Sequence, residues 1–202
     1  MVRENIIMDK KKYEEIREKL QESSVGIAGL GGLGSNAAVS LARAGVGRLV
    51  LVDFDKVEES NLSRQYYFQD QVGRLKTEAI KENIERINPR VMVEIFNCKL
   101  EKGSMERLFK DVDVVIEALD DAEMKTAFIE EVLQKLPGKP VVAASGVAGY
   151  GRCDSITTKR LGNLYMCYDE GAPSSEESVL IAPRVALMAN WEANLAVEII
   201  LG

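Results

Sequence analysis

Three glycines and two acids carry the first chemical signal in this chain. Gly29, Gly31 and Gly34 spell G-x-G-x-x-G, with Gly32 between them, after a short apolar run holding Val25 and Ile27. A helical pattern follows from Ser35 to Ala44, then a second apolar run, Arg48 to Val52, that ends at Asp53 with Asp55 just beyond. The step from Gly34 to Asp53 is roughly the twenty residues of a nucleotide-binding βαβ unit. Glycines let the backbone approach a phosphate, and a helix N-terminus offers N–H groups with partial positive charge. An acid closing the second strand can accept hydrogen bonds from ribose hydroxyls. Read only as a turn that lets a helix pack closely, the motif leaves Asp53 and Asp55 unexplained.

Three further groups fall where strands end. They are Asn61-Leu62-Ser63-Arg64-Gln65 after the second strand, Val72-Gly73-Arg74-Leu75-Lys76 at the start of a helix, and Asp120-Asp121 after Leu119. Together they offer two cations for phosphates and a carboxylate for Mg²⁺, which prefers one or two carboxylates plus phosphate oxygens and water. That set suits ATP better than NAD, because hydride transfer needs neither a metal carboxylate nor a cationic clamp. Each residue also has a plainer reading: Arg64 as a surface ion pair, Lys76 as an exposed helix start, Asp120 or Asp121 as a helix N-cap. The chain has no histidine, which removes Ser-His-Asp and Cys-His catalysis and histidine metal sites. Cys98, Cys153 and Cys167 are far apart and no C-x-x-C occurs, which argues against a disulfide scaffold and an all-cysteine zinc site.

The elements that must position these residues alternate. Asp9 to Gln21 reads as an amphipathic leader helix with Tyr13, Ile16 and Leu20 on one stripe. After the glycine unit, Val57 to Tyr67 reads as a loop, Leu75 to Asn88 as a helix ended by Pro89, and Val91 to Phe96 as a strand. Ser104 to Lys110 reads as a short helix, Val112 to Ile116 as a buried strand, Ala122 to Leu136 as a helix and Val141 to Ala144 as another buried strand. Such alternation predicts an α/β, Rossmann-like, mainly parallel sheet with helices on both faces. Past Tyr150 the pattern changes. Cys153 to Thr158 and Asn163 to Tyr168 read as short antiparallel strands, Asp169 to Ser178 as a polar, mobile turn segment, and Pro183 to Leu201 as a long apolar C-terminal helix. That helix is apolar on more than one side and fits either a subunit interface or a core position.

The 202 residues suit one domain, with a leader helix at about 9–21, a core at about 24–147 and a C-terminal extension at about 150–202. A hydrophobic fraction of 46% can fill a core. The net charge of −6 and the lack of a basic block argue against a nucleic-acid partner. No stretch approaches the ~18 apolar residues of a membrane span, and the first residues lack a signal-peptide core, so a cytoplasmic protein is expected.

The segments GLGGLGSNAAVSLARAGVGRLVLVDFDKVEESNLSRQ, VGRLK and INP resemble the ThiF/MoeB/HesA family, relatives of ubiquitin-activating enzymes. The N-L-x-R-Q and V-G-x-x-K elements are more specific than the glycine turn. The C-terminal segments NLYMCYDE and APRVALMANWEANLAVEIILG are similar to a short ThiF-like subgroup. The resemblance implies an adenylyltransferase. ATP and Mg²⁺ bind at the glycine turn, and the C-terminal glycine carboxylate of a small ubiquitin-like sulfur carrier, ThiS-like and ending in Gly-Gly, attacks the α-phosphate. By the same resemblance, Gly29, Gly31, Gly32, Gly34, Asp55 and Leu119 line the nucleotide and Asp53 holds the ribose. Arg64 and Lys76 contact phosphates, Asn61 and Gln65 order their loop, and Asp120 binds Mg²⁺. Thiamine biosynthesis and a homodimer are the expected setting. A molybdopterin-type carrier, or a non-catalytic scaffold that binds nucleotide or carrier, are the alternatives. The family's R-Y-x-R-Q segment, which donates an arginine to the partner subunit's ATP, is missing, with Arg17 as a substitute candidate. Its paired C-x-x-C motifs are missing too, so no structural zinc is expected. Cys167 lies near the place of one zinc cysteine.

Overall fold

The computed structural model describes residues 2–151, 153–173 and 178–202. In chain order they form α1 (Val2–Gln21), β1 (Ser24–Ala28), α2 (Gly32–Ala44), β2 (Arg48–Asp53), α3 (Lys76–Ile87), β3 (Met92–Asn97), β4 (Val114–Glu117), α4 (Ala122–Lys135), β5 (Val141–Ser145), β6 (Thr157–Leu161), β7 (Leu164–Tyr168) and α5 (Ala182–Leu201). The strands make one sheet in the order β3-β2-β1-β4-β5-β7-β6, parallel except for β6 against β7.

Alternation along the strands assigns the two faces. Leu49 and Leu51 of β2 join a core with Ile27, Ile116, Ala38, Leu41, Ile80 and Met188, under α2, α3 and α5. Their neighbours Val50 and Val52 point the other way, into a core with Phe109, Phe128 and Val132 under α4. Strands buried on both sides need near-continuous apolar runs, and β1, β2 and β4 supply them through residues 25–28, 49–52 and 114–116, with acids only at the carboxyl ends of β2 and β4. Phe109 and Phe128 meet edge to face with centroids 5.4 Å apart.

Three local expectations change. Ser104 to Lys110 is not a regular helix but a 3₁₀ segment, Met105–Phe109. Cys153–Ser155 is a 3₁₀ turn, and the antiparallel pair begins only at Thr157. As expected, that pair is a short antiparallel end to a mainly parallel sheet: β7 lies parallel to β5, from Val141↔Leu164 to Ser145↔Tyr168. Of the segment expected to be mobile, residues 174–177 lie outside the described residues, while Asp169 is buried and ion-paired to Arg184 at 2.8 Å.

The long apolar helix α5 is a core helix. Val185, Met188, Ala189, Ala193, Leu195 and Ala196 are buried against α2 and the sheet. Leu187, Trp191, Val197 and Ile200 pack partly on the same core. Its apolar width reflects two layers of contact within one chain. Among the described residues no helix is long and apolar enough to cross a membrane.

Candidate nucleotide site at the sheet reversal

Sheet order reverses between β1 and β4, since β2 and β3 lie on one side of β1 while β4 and β5 lie on the other. Ligands of open α/β sheets bind at such a point, outside the carboxyl ends of the strands. Here the two ends touch. Ala118 N–H donates to the Ala28 carbonyl at 2.8 Å, and Gly29 N–H donates to the Val52 carbonyl at 2.9 Å. Gly29 has φ +91°, and a methyl group built on it would stand 2.6 Å from the Ala118 oxygen. Conformation and space both require glycine there.

The turn is then held from both sides. Leu30 N–H donates to Asp53 Oδ2 at 2.6 Å, and the buried Tyr67 hydroxyl donates to the Leu30 carbonyl at 2.8 Å. Burial, with Asp53 and Asp55 nearby, pushes the Tyr67 phenol well up, so it stays a donor. Asp53 Oδ1 also accepts from Asp55 N–H at 2.8 Å. The acid that closes β2 thus orders the turn itself, with spare lone pairs for a further donor. Gly31 stands at the N-cap of α2 and no side chain caps that helix. A methyl on Gly31 would meet only the Gln65 Nε2 amide, at 3.9 Å. Gln65 Oε1 is buried and, among the described residues, has no hydrogen-bond partner. Open backbone N–H groups beside the Gln65 Nε2 donor suit an anion, whereas Oε1 can only accept.

Two cations are delivered by separate devices. A 3₁₀ turn at Glu59–Ser63 is ordered by buried Asn61, whose Oδ1 accepts from Glu58 N–H at 3.1 Å and whose carbonyl accepts from Arg64 and Gln65 N–H at 3.0 and 2.9 Å. Arg64 follows at its C-cap, with Cγ 3.9 Å from a methyl built on Gly32 and Nη1 donating to the Ser60 carbonyl at 3.1 Å. Lys76 arrives from 21 residues past Asp55 because residues 55–57 pair with 73–76: Lys76 N–H donates to the Asp55 carbonyl at 2.9 Å and Val57 N–H to the Arg74 carbonyl at 2.8 Å. The Lys76 side chain is 8% exposed and its Nζ donates to Asp55 Oδ2 at 2.8 Å. Lys76 is therefore not the exposed helix start that its sequence position allowed.

The acid pair divides its labour. Asp121 Oδ1 accepts from Met124 N–H at 2.8 Å and caps α4. Asp120 is exposed and Leu119 half-buried, two residues or fewer from the Ala118 that touches the glycine turn. Among the described residues no cluster of three or more His, Cys, Asp or Glu could hold a metal ion. A single carboxylate fits the share of ligands that Mg²⁺ takes from a protein when phosphates supply others.

Two further acids are buried near the carboxyl end of β4. Glu117, fully buried at the end of β4, accepts from Leu119 N–H at 2.7 Å and pairs with Lys125. Burial pushes its carboxyl up, and the Lys125 ammonium opposes that. Glu192, on the sheet-facing side of α5, is fully buried, and neither carboxyl oxygen has a hydrogen-bond partner among the described residues. Burial pushes it well up, Lys125 acts against this and Glu117 adds to it. The only signal for it in the sequence was an acid inside a long apolar run. Glu192 keeps its proton in the fold at pH values where the unfolded chain, near its ordinary 4.5, has lost it. Stability from the neutral form is present below that value and declines as pH rises towards the raised one. Glu192→Gln is therefore expected to melt above the parent at pH 8 and level with it near pH 4. The gain should be about 3 °C per kcal/mol recovered, read by circular dichroism melts across pH.

Cys167 is fully buried with Sγ directed at the Ala143 carbonyl, and burial, with Glu192 nearby, pushes its thiol far up. That disfavours a thiolate nucleophile. Arg17 lies over the Tyr13 ring at 5.9 Å and lines a small cavity with Gly45, Gly47 and Arg90 at the start of β2, the opposite end of the strands from the glycine turn.

The ThiF family profile matches residues 3–202. The adenylyltransferase and sulfurtransferase UBA4 of Kluyveromyces lactis is 34% identical over 191 residues, 91% of this chain and 43% of the relative. The molybdopterin-synthase adenylyltransferase of Escherichia coli K12 is 31% identical over 196 residues, 92% of this chain and 76% of the relative. The chain thus spans less than half the length of UBA4. Among solved structures, E. coli tRNA N6-threonylcarbamoyladenosine dehydratase, TcdA, in complex with AMP superposes with a TM-score of 0.83 at 20% identity, covering 93% of this chain and 89% of that one. E. coli MccB with ATP gives 0.73 at 23% identity, covering 92% and 57%. At those identities the likeness is one of fold.

Proposed function

The chain belongs to the ThiF family, and from that premise we propose that it is an ATP-dependent adenylyltransferase acting on the C-terminal carboxylate of a small ubiquitin-like carrier protein. What supports this reading is an uncapped glycine turn at the sheet reversal, with Arg64 Cγ beside Gly32, Asp55 N–H on the same Asp53 that holds Leu30 N–H, and Ala118, two residues before Asp120, against Gly29.

In this reading ATP is a substrate. The glycine-turn amides hold phosphate oxygens, Asp53 accepts from the ribose, and Gln65, through its Nε2 donor beside Gly31, closes the rim of the cradle. A carrier carboxylate oxygen attacks the α-phosphorus and forms a new P–O bond. The bond to the bridging oxygen breaks, and pyrophosphate leaves with the electron pair. Arg64 and Lys76 neutralise charge that moves onto the phosphate oxygens, and positioning with charge neutralisation is the whole of the protein's work in this step. Asp120 would hold Mg²⁺, which when bound offsets phosphate charge.

The finer proposal is a ThiS-like carrier ending in Gly-Gly, in thiamine biosynthesis, and a homodimeric, cytoplasmic enzyme. It rests on the C-terminal resemblance to a short ThiF-like subgroup. A molybdopterin-type carrier is the second reading, favoured by the E. coli relative's name. Purified protein with ATP, Mg²⁺ and a Gly-Gly-ended carrier is expected to exchange labelled pyrophosphate into ATP. ATP binding without exchange would instead mark a scaffold. Asp120→Ala is expected to lower exchange roughly 100-fold and to raise the Mg²⁺ concentration needed for half-maximal rate, with the melting temperature unchanged.

A further inference from the structure

We infer that Asn36 is a positioning residue that fastens Arg64 to the glycine turn. Its Nδ2 carries two hydrogens and uses both as a crossbar. One goes to the Gly32 carbonyl at 2.7 Å and the other to the Arg64 carbonyl at 3.0 Å. The neighbouring side chain repeats the device. Ser35 Oγ, fully buried, donates to the Gly31 carbonyl at 2.6 Å and accepts from Tyr66 N–H at 3.0 Å. With the Tyr67–Leu30 bond, residues 64–67 are tied to residues 30–32 by side chains rather than by a backbone ladder. The two segments are some thirty residues apart in sequence, and Arg64 lies in a 3₁₀ cap with no sheet to hold it.

The consequence is geometric. The carbonyls of Gly31 and Gly32, the N-cap and first residue of α2, belong to the peptides whose amides face a phosphate in the proposed function. Anchoring the Arg64 main chain to those same peptides sets the root of the guanidinium relative to whatever the turn holds. Aspartate at this position has the size but no donor, and alanine has neither. Loss of one crossbar leaves the fold, because a typical hydrogen bond contributes little net stability. A displacement of about 1 Å in a charge-bearing group can nonetheless cost up to about 100-fold in rate.

The rate test rests on the proposed adenylyl transfer, and a second test does not. In pyrophosphate exchange, Asn36→Ala is expected to lower the maximal rate about tenfold with the ATP KM changed less than about twofold. In an Arg64→Ala background the same substitution is expected to cost nothing further, which a general loss of stability would not produce. Independently of turnover, amide hydrogen exchange at residues 64–67 is expected to quicken about fivefold in Asn36→Ala, with β1, β2 and the rest of α2 unchanged. Asn36→Asp gives the same readout if the alanine variant folds poorly. Parent-like exchange at residues 64–67 in both variants, or an equal rate cost with and without Arg64, would overturn the inference. A parent protein with no pyrophosphate exchange would overturn the proposed function, and the amide measurement would still decide the role of Asn36.

Discussion

Arg64→Ala is expected to lower pyrophosphate exchange by about 100- to 1,000-fold, the cost of removing one preorganised donor from a developing phosphate charge. The loss should fall mainly on the maximal rate, since charge builds on the transferring phosphate in the transition state rather than in bound ATP. The side chain is half-buried, and its Nη1 rests on the Ser60 carbonyl at 3.1 Å and near Ser63 Oγ at 3.5 Å. Those contacts are local and exposed, so their loss should leave the melting temperature within about a degree or two. Arg64→Lys should recover only part of the rate, because an ammonium is a point charge and cannot present a planar fork to phosphate oxygens. Exchange within a few-fold of the parent in Arg64→Ala would remove this residue from the site and return it to the role of a 3₁₀ cap.

The second large effect concerns the fold. Gly34→Ala is expected to destabilise the protein by about 3 kcal/mol or more, the upper range for overpacking a core. Its backbone φ is ordinary, so the obstacle is space. A methyl built there would stand 2.9 Å from the Gly29 carbonyl carbon, nearer still to its oxygen, and 3.2 Å from Ile27 Cγ2. The carbonyl belongs to the turn and cannot swing aside as a flexible side chain could. Relief requires α2 to lift off β1, which breaks the packing of Ala37, Ala38 and Leu41 beneath it. Gly31→Ala is the control, because only the Gln65 amide stands within 4 Å of its added methyl. It should keep the fold but lose ATP affinity, since the methyl occupies the open face of the turn. Thermal melts and ATP titrations of the two variants separate the glycine needed for packing from the one needed for the ligand. Equal stability for both would refute that division.

The amino-acid sequence by itself determined the βαβ opening, the alternation that follows it, and most of the candidate site. The reason is that these signals are local. Glycines at fixed offsets, an acid ending an apolar run and short polar motifs after strands act through backbone spacing of a few residues. Tertiary structure decided what depends on a remote neighbour. Asp120 and Asp121 are identical to a reader of the sequence. The N-terminus of α4 uses Asp121 as its cap and leaves Asp120 exposed beside the glycine turn. Lys76 became a buried partner of Asp55 only because residues 55–57 fold against 73–76. The C-terminal pair of strands joined the main sheet because the free edge of β5 was there to receive β7. Glu192 lost solvent where α5 packs on β4 and β5, and Glu117 lost it at the end of β4 beside Lys125 of α4, contacts that no nearby sequence pattern encodes. Spacing along the chain chooses which chemistry is present, and burial by distant elements chooses which of those groups are free to act.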